Sequence, residues 1–409
     1  MSLLDELSLE ETWKEFRDYK SHHSHMSNRE LAELDTFIRN HEYLRITDRL
    51  RDSDHGFSFP QKRVINKSGT GKKRVIYMFP EAENRVLKLL TWLLYRYDSE
   101  MSCNCYSFRR EITAKDAFMK AVQIPDLDCR YTYKTDIHDY FNSMPVENLK
   151  ETVRAFVKDD PLLLQFLCDL LSVGKAIYNQ NVIAEERGAM AGSPLSAFFA
   201  NIYLNSLDRE FEELGIPYFR YSDDIIVFAK SEQEREMAEK RIKMRIAEKG
   251  LVLNPEKEAK TSPGESWNFL GFSYNGGRID LAQVSLDKMK AKIRRKCRSL
   301  YRWKVKKNVD FDRAAKVVLR VFNRKFYDID ELYDFTWSRW FFPILNTDGG
   351  LHALDAYLVS ELRYLYSGRH YKGNYVITYE HLKELGFRSL VNEYYKFKKE
   401  QNRTETGPK

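Results

Sequence analysis

Two adjacent carboxylates, Asp223 and Asp224, sit in Tyr221-Ser222-Asp223-Asp224, between Pro217-Tyr218-Phe219-Arg220 and Ile225-Ile226-Val227-Phe228-Ala229. Flanks rich in β-branched and aromatic residues around a polar centre predict a β-hairpin with acids at its tip. Neighbouring carboxylates repel and lose solvation unless something cationic lies between them. A divalent ion suits that place, and Mg²⁺ favours carboxylate oxygens together with substrate phosphates. An ordinary solvated turn is the alternative that the hairpin alone leaves open. Asp136 ends a further strand-like run, Tyr131-Thr132-Tyr133-Lys134-Thr135, and supplies the third carboxylate of a two-metal site. His138 and Asp139 read as turn and cap residues.

A cluster of cations and a glycine loop could meet a phosphate. Lys67, Lys72, Lys73 and Arg74 rim a predicted hairpin whose centre is Ser68-Gly69-Thr70-Gly71, dense enough in charge for a triphosphate. Lysines also guard exposed sheet edges, so both readings stand. Gly188-Ala189-Met190-Ala191-Gly192-Ser193-Pro194-Leu195-Ser196 reads as a flexible loop feeding a helix. Glycine there lets backbone approach a ligand, and a helix N-terminus favours phosphate.

The elements that must position these groups follow from periodicity. Residues 1–50 read as helical, with Ser8–Glu11 and Ser27–Glu30 as capping boxes and Leu31, Leu34, Phe37 and Ile38 on one face. A helix carries Val86, Leu89, Leu90, Leu93 and Leu94; Tyr106-Ser107-Phe108-Arg109 and another helix from about Ala114 follow. Residues 146–183 read as helical and apolar. After the acidic hairpin come a helix from Ser231 to Gly250, a strand at Leu251-Val252-Leu253, and a short aromatic strand at Trp267-Asn268-Phe269-Leu270-Gly271-Phe272. The central third is thus a split α/β sandwich with carboxylates at strand ends.

A helix over 286–307 has Leu286, Met289, Ile293 and Leu300 on one face. Lys288, Lys290, Lys292, Arg294, Arg295, Lys296 and Arg298 crowd the rest, with Tyr301 and Trp303 interleaved. That mixture fits a nucleic-acid backbone.

Bulk properties agree. The 409 residues, 43% hydrophobic and 31% charged, read as a soluble globular protein of two or three subdomains. The 25 tyrosines and 25 phenylalanines exceed ordinary core needs and suit base stacking. A net charge of +7 is only mildly basic, so its distribution matters more than the total. Cys103, Cys105, Cys129, Cys168 and Cys297 form no CxxC pair and read as reduced thiols of a cytoplasmic protein. The acidic start argues against a signal peptide, and no apolar run reaches membrane length.

Taken in order, the basic hairpin, Asp136, Gly192-Ser193-Pro194-Leu195-Ser196, Tyr221-Ser222-Asp223-Asp224, Lys257 and Phe269-Leu270-Gly271-Phe272 resemble a bacterial reverse transcriptase related to group II intron and retron enzymes. The resemblance covers about residues 57–275 motif by motif. It implies an α+β right-hand polymerase with fingers, an RRM-like palm and an α-helical thumb. The corresponding domains are a helical extension (1–56), fingers (57–130), palm (131–280, its helical insertion 146–187 partly in the fingers) and a helical thumb and RNA-binding region (281–409).

By the same resemblance, Asp136, Asp223, Asp224 and the Ile137 carbonyl hold two Mg²⁺ ions, with Mn²⁺ as a substitute. Lys72 and Arg74 hold the triphosphate, with Gly192 and Ser193 beside it. Phe141 rejects the ribose 2′-hydroxyl, and Lys257 is the acid for pyrophosphate. Tyr221, Ser222, Gly271, Phe272, Arg109, Arg294, Arg295 and Arg298 contact primer or template.

Departures narrow the resemblance. Ala191 stands where many relatives carry Gln, no Val-Thr-Gly follows Phe272, and no cysteine follows Cys297 to build an intron-type zinc nuclease. The C-terminal stretch with Tyr379, Leu382 and Gly386-Phe387-Arg388-Ser389-Leu390 is most similar to the stand-alone "unknown group" enzymes of antiphage defence. The expected function is RNA-directed DNA synthesis from dNTPs on a cognate non-coding RNA. Homo-oligomerisation is left open, and no membrane is involved. Two other readings stay open: a template-independent or protein-primed DNA polymerase of abortive-infection type, and an RNA-binding, maturase-like protein with little catalysis.

Overall fold

The computed structural model describes residues 1–23, 26–51, 57–66, 73–185, 188–327 and 336–405. Lys67, Lys72 and the predicted turn Ser68-Gly69-Thr70-Gly71 lie outside the described residues. The chain forms two compact units, one from Met1–Lys67 and Gly71–Glu265, the other from Ser266–Lys409. The strands in chain order are β1 (Gln61–Asn66), β2 (Lys73–Met78), β3 (Tyr131–Asp136), β4 (Lys175–Tyr178), β5 (Asn181–Ala184), β6 (Tyr218–Tyr221), β7 (Asp224–Ala229), β8 (Ala259–Thr261), β9 (Trp267–Phe269), β10 (Phe272–Asn275) and β11 (Arg278–Leu281).

The first unit holds two sheets. One has the order β2-β1-β4-β5. Its β1–β2 hairpin pairs from Gln61↔Met78 to Asn66↔Lys73. Its other half corrects the helical expectation for 146–183. The helices there are Val146–Phe156 and Pro161–Ser172, after which β4 and β5 form a hairpin and β4 joins β1 in parallel at Gln61↔Ile177. Asn179 and Gln180, at φ 49° and 68°, make the two-residue turn. Two left-handed residues in a row match the strand twist of a tight hairpin, and neither is the glycine that would have signalled it.

The second sheet has the order β6-β7-β3-β8. Ile225 to Ala229 of β7 are wholly buried, as befits a central strand covered on both faces. The Glu232–Glu248 helix packs on β7 and β3. The strand expected at Leu251–Leu253 is reduced to one bridge, Ile137↔Leu253, and the sheet edge is β8 instead. Asn254-Pro255 explains the shift: a 3-10 turn over Pro255–Lys257 interrupts the run before Ala259.

At the N-terminus, Ser27 and Glu30 form the predicted capping box and bury Leu34, Phe37 and Ile38. Ser8 does not cap: the helix starts at Glu10, and the Ser8 Oγ is buried without a hydrogen bond. Ser2 instead caps the short Leu3–Glu6 helix. Trp13, fully buried, gathers Phe16, Phe37 and Tyr43 around it.

The second unit begins with the antiparallel sheet β11-β10-β9. These strands pair with one another and pack with the C-terminal helices, so the compact first unit ends before the expected palm boundary at 280. The Gln283–Lys307 helix buries Leu286, Met289, Ile293 and Cys297 and packs along the Gly349–Ser367 helix. No described helix is long and apolar enough to cross a membrane.

Candidate active site

The antiparallel register of β3 and β7 sets Asp136 directly opposite Asp224. Across the β6–β7 hairpin Tyr221 pairs with Asp224, leaving Ser222-Asp223 as the turn. Ser222 takes φ 60°, where glycine is usual. The Ile137 N–H donates to the Asp223 carbonyl (3.1 Å), and the Asn254 N–H donates to the Asp136 carbonyl (2.8 Å). Three carboxylates from two chain segments thus meet at one sheet end.

Their electrostatics are those of a site short of positive charge. Burial, and then the like charge of Asp136, push the Asp223 carboxyl above its ordinary range. Burial pushes Asp224 up to about 6 against the opposing charge of Lys134, which lies 3.4 Å away. The Asp224 Oδ1 is shielded from water and has no hydrogen-bond partner. Lys257 donates its Nζ to Asp136 Oδ2. Its ammonium therefore sits on a carboxylate rather than free in the cleft. Among the described residues no three His, Cys, Asp or Glu side chains form a metal-holding group by themselves. An all-oxygen carboxylate set completed by substrate phosphates still fits Mg²⁺, which is seldom caged by protein alone. Burial together with the crowding of like charge at one sheet end, which raises both Asp223 and Asp224, is the observation that favours a cation here.

Beneath the hairpin lies a residue that sequence reasoning missed. Arg220 is fully buried and grips Asp208 through Nε (2.7 Å to Oδ1) and Nη2 (2.5 Å to Oδ2). It also donates to the carbonyls of Ser222 (3.3 Å), Ala200 (3.4 Å) and Asn201 (3.0 Å). Arg220 thereby holds the strained turn from below. Nothing local marked it, because an arginine within a strand ordinarily faces water.

On the other side, the Tyr140–Ser143 helix presents Phe141. The glycine loop is laced to it: the Gly188 N–H donates to Met144 O (2.9 Å) and the Ala189 N–H to Phe141 O (2.7 Å). A Cβ on Gly188 would stand 2.6 Å from Asn142 Cα, so only glycine fits. Gly192, at φ 95°, lies against β2, where a Cβ would be 3.1 Å from Tyr77 O. The Tyr77 N–H donates to Ala191 O (2.7 Å). At Ala191 the chain thus uses its backbone to bind β2. Asn142, also missed, spans the same joint, donating to Val75 O and accepting from the Ala191 N–H, both at 3.4 Å. Ser193 is buried, and its carbonyl accepts from the Ser196 N–H (3.1 Å) and Oγ (2.7 Å). Lys73 and Arg74 are exposed at the start of β2, opposite Asn66 and Ile65.

Two residues expected to contact primer or template, Arg109 and Phe272, are engaged within the fold. The Arg109 guanidinium donates to the carbonyls of Asp98 (2.6 Å), Ser102 (3.0 Å) and Cys105 (3.3 Å), so it orders its own loop. Its neighbour Phe108, 39% exposed, takes the forward position, with its ring 6.1 Å from Phe141 and 6.2 Å from Tyr221. In the second unit Phe272 is fully buried against Phe341 and Trp340, because β10 turns Phe272 and Tyr274 inward. Its ring is part of the core of that unit. The Gly271 carbonyl accepts from the Ala282 N–H and the Ser285 Oγ, each at 3.0 Å. Arg294, Arg295 and Arg298 are exposed on the long basic helix.

The profile of the family described as "Reverse transcriptase (RNA-dependent DNA polymerase)" matches residues 65–274. Among solved structures, the chain is similar to apo telomerase from Candida tropicalis truncated from its C-terminal domain (13% identity, TM-score 0.45, 56% of each chain covered). It is also similar to apo telomerase from the same organism (13% identity, TM-score 0.42, 82% of this chain and 65% of that one). The chain thus spans 56% and 65% of the lengths of those two chains. No curated protein sequence matches it.

Proposed function

The chain belongs to the reverse transcriptase (RNA-dependent DNA polymerase) family, and on that premise we propose that it is an RNA-directed DNA polymerase that copies a partner non-coding RNA in antiphage defence. The observation that carries the catalytic part is the register of β3 and β7, which brings Asp136 opposite Asp224 with Asp223 at the turn, inside the span matched to the family. The partner RNA and the defence role rest on the C-terminal sequence resemblance.

Asp136, Asp223, Asp224 and the Ile137 carbonyl would hold Mg²⁺, with Mn²⁺ as a substitute, and the bound ions would stabilise charge on the attacking and leaving oxygens of an in-line displacement. The chain's own residues do the rest. The primer 3′-hydroxyl attacks the α-phosphate of a dNTP, and the bond to pyrophosphate breaks. Lys257, whose ammonium meets Asp136, would donate a proton to the leaving pyrophosphate. Arg74 and Lys72 would hold the triphosphate. Phe141, fixed by the Gly188–Gly192 lacing, would set its ring where a ribose 2′-hydroxyl would clash.

The test is to purify the protein from cells with its bound nucleic acid and sequence both RNA and DNA, beside an Asp223→Ala/Asp224→Ala control. A discrete RNA with complementary DNA that vanishes in the control is expected. Homopolymeric or protein-linked DNA without matching RNA would overturn templated synthesis. RNA without carboxylate-dependent DNA, under phage challenge as well, would overturn catalysis.

A further inference from the structure

The second unit contains a cavity of about 830 Å³ with no place in the chemistry above. One wall is a face of the Gly349–Ser367 helix bearing His352, Asp355 and Arg363; the rim is the 370–375 loop; the far end is the start of the Leu390–Glu405 helix. Its volume falls in the range of small-ligand sites. Its lining is not a hydrophobic core cut open. Tyr371 and Tyr375 stand 55% and 64% exposed at its edge, large rings that a folded chain gains nothing by presenting to water.

The polar groups around these rings are arranged asymmetrically. The Arg363 guanidinium lies 4.6 Å over the Tyr375 ring, and its Nε donates to Ile377 O (3.0 Å), which fixes the guanidinium plane beside the cavity. Neither Arg363 nor Lys372 has a carboxylate partner among the described residues. The one acid of the lining, Asp355, is already committed: it accepts from the Ser389 Oγ (2.6 Å) and from the Leu390 (2.9 Å) and Val391 (3.2 Å) N–H groups, capping a helix. Asn374 also lines the cavity. Its Nδ2 donates to Arg369 O (2.6 Å), which ties the rim together. Exposed rings for stacking and unopposed cations for phosphate are the parts with which proteins hold unstacked bases of single-stranded RNA.

We infer that this cavity binds an unpaired nucleotide of a single-stranded RNA segment, the base stacking on Tyr371 or Tyr375 and the phosphate meeting Arg363 and Lys372. This rests on the reading of the chain as an RNA-copying enzyme and adds where, away from the carboxylates in sequence, it takes hold of its RNA. A free nucleotide has the same chemistry, so the test separates the two sources. Short single-stranded RNA carrying 4-thiouridine is photocrosslinked to the full-length protein and the modified peptide identified, with ATP as competitor. The RNA affinity of Tyr371→Ala/Tyr375→Ala is measured beside that of Tyr371→Phe/Tyr375→Phe.

Crosslinks within 371–375 that ATP does not displace are expected, with affinity reduced about tenfold in the alanine variant and restored in the phenylalanine variant. Extension of a short primer–template with minimal single-stranded RNA should be unchanged in both. Crosslinks that map elsewhere, or an affinity the alanine variant leaves intact, overturn the inference. Displacement by ATP gives the cavity to a free nucleotide and overturns it also. Crosslinking that persists in a protein unable to extend any primer would instead count against the polymerase reading alone, which keeps the two failures apart.

Discussion

Arg220, under the carboxylate hairpin, and Arg294, on the long helix of the second unit, are the same side chain in opposite surroundings. Arg220 is wholly buried with Asp208, and its five donors are distributed among a carboxylate, a thiol and three carbonyls. Arg294 is exposed and gives its Nε to a neutral phenol, Tyr357 Oη, at 2.8 Å, while its cation lies 6.0 Å over the same ring. Water cannot replace a lost partner in the first setting, so the pair fixes geometry. In the second, the phenol steadies the guanidinium without neutralising it. One arginine is locked beneath the acidic turn; the other stays at the surface.

Removing each arginine sharpens that contrast. Arg220→Met leaves Asp208 buried without its cation, and the expected loss is about 3–5 kcal/mol of stability, measured by urea unfolding. Arg220→Met/Asp208→Leu should recover much of it, yet nucleotide incorporation should stay impaired because the Ser222 carbonyl has lost its donor. Full recovery of activity in the double variant would break the idea that Arg220 positions the turn.

Phe141→Ala, between the two extremes, should barely alter folding, because the ring is only partly buried. It should raise the ratio of ribonucleotide to deoxynucleotide incorporation by about a hundredfold, the scale on which a pocket wall discriminates. Unchanged sugar selectivity in a single-nucleotide assay would remove Phe141 from that role. Arg294→Ala should have the smallest effect: stability within about 0.5 kcal/mol of the parent, RNA affinity a few-fold lower, and the salt dependence of binding shallower by about one unit of log–log slope. A stability loss as large as that of Arg220→Met would mean the two arginines are not the different devices described above.

Much of this arrangement is legible in the sequence alone. The hairpin carrying Asp223 and Asp224, the strand ending at Asp136, the caps at Ser27 and Ser231 and the apolar face of the basic helix all follow from local periodicity and turn chemistry. The β4–β5 hairpin was missed because its Asn-Gln turn lacks glycine. The strand at Leu251–Leu253 was overread because an apolar triplet before Asn-Pro resembles a strand until the proline turn displaces the pairing to Ala259.

Propensity and hydrophobic period act over a few residues, so they reveal which side chains could do chemistry and the kind of element each rides on. Which of them meet is a matter of long-range packing. The pairing of Asp136 with Asp224 spans a long stretch of chain and is a matter of strand register. The burial of Arg220 depends on Asp208 and Cys105 arriving from other elements. The inward turn of Phe272 depends on the helix bearing Phe341. Each is set by contacts between residues distant in the chain, where burial and register, not local preference, fix the outcome.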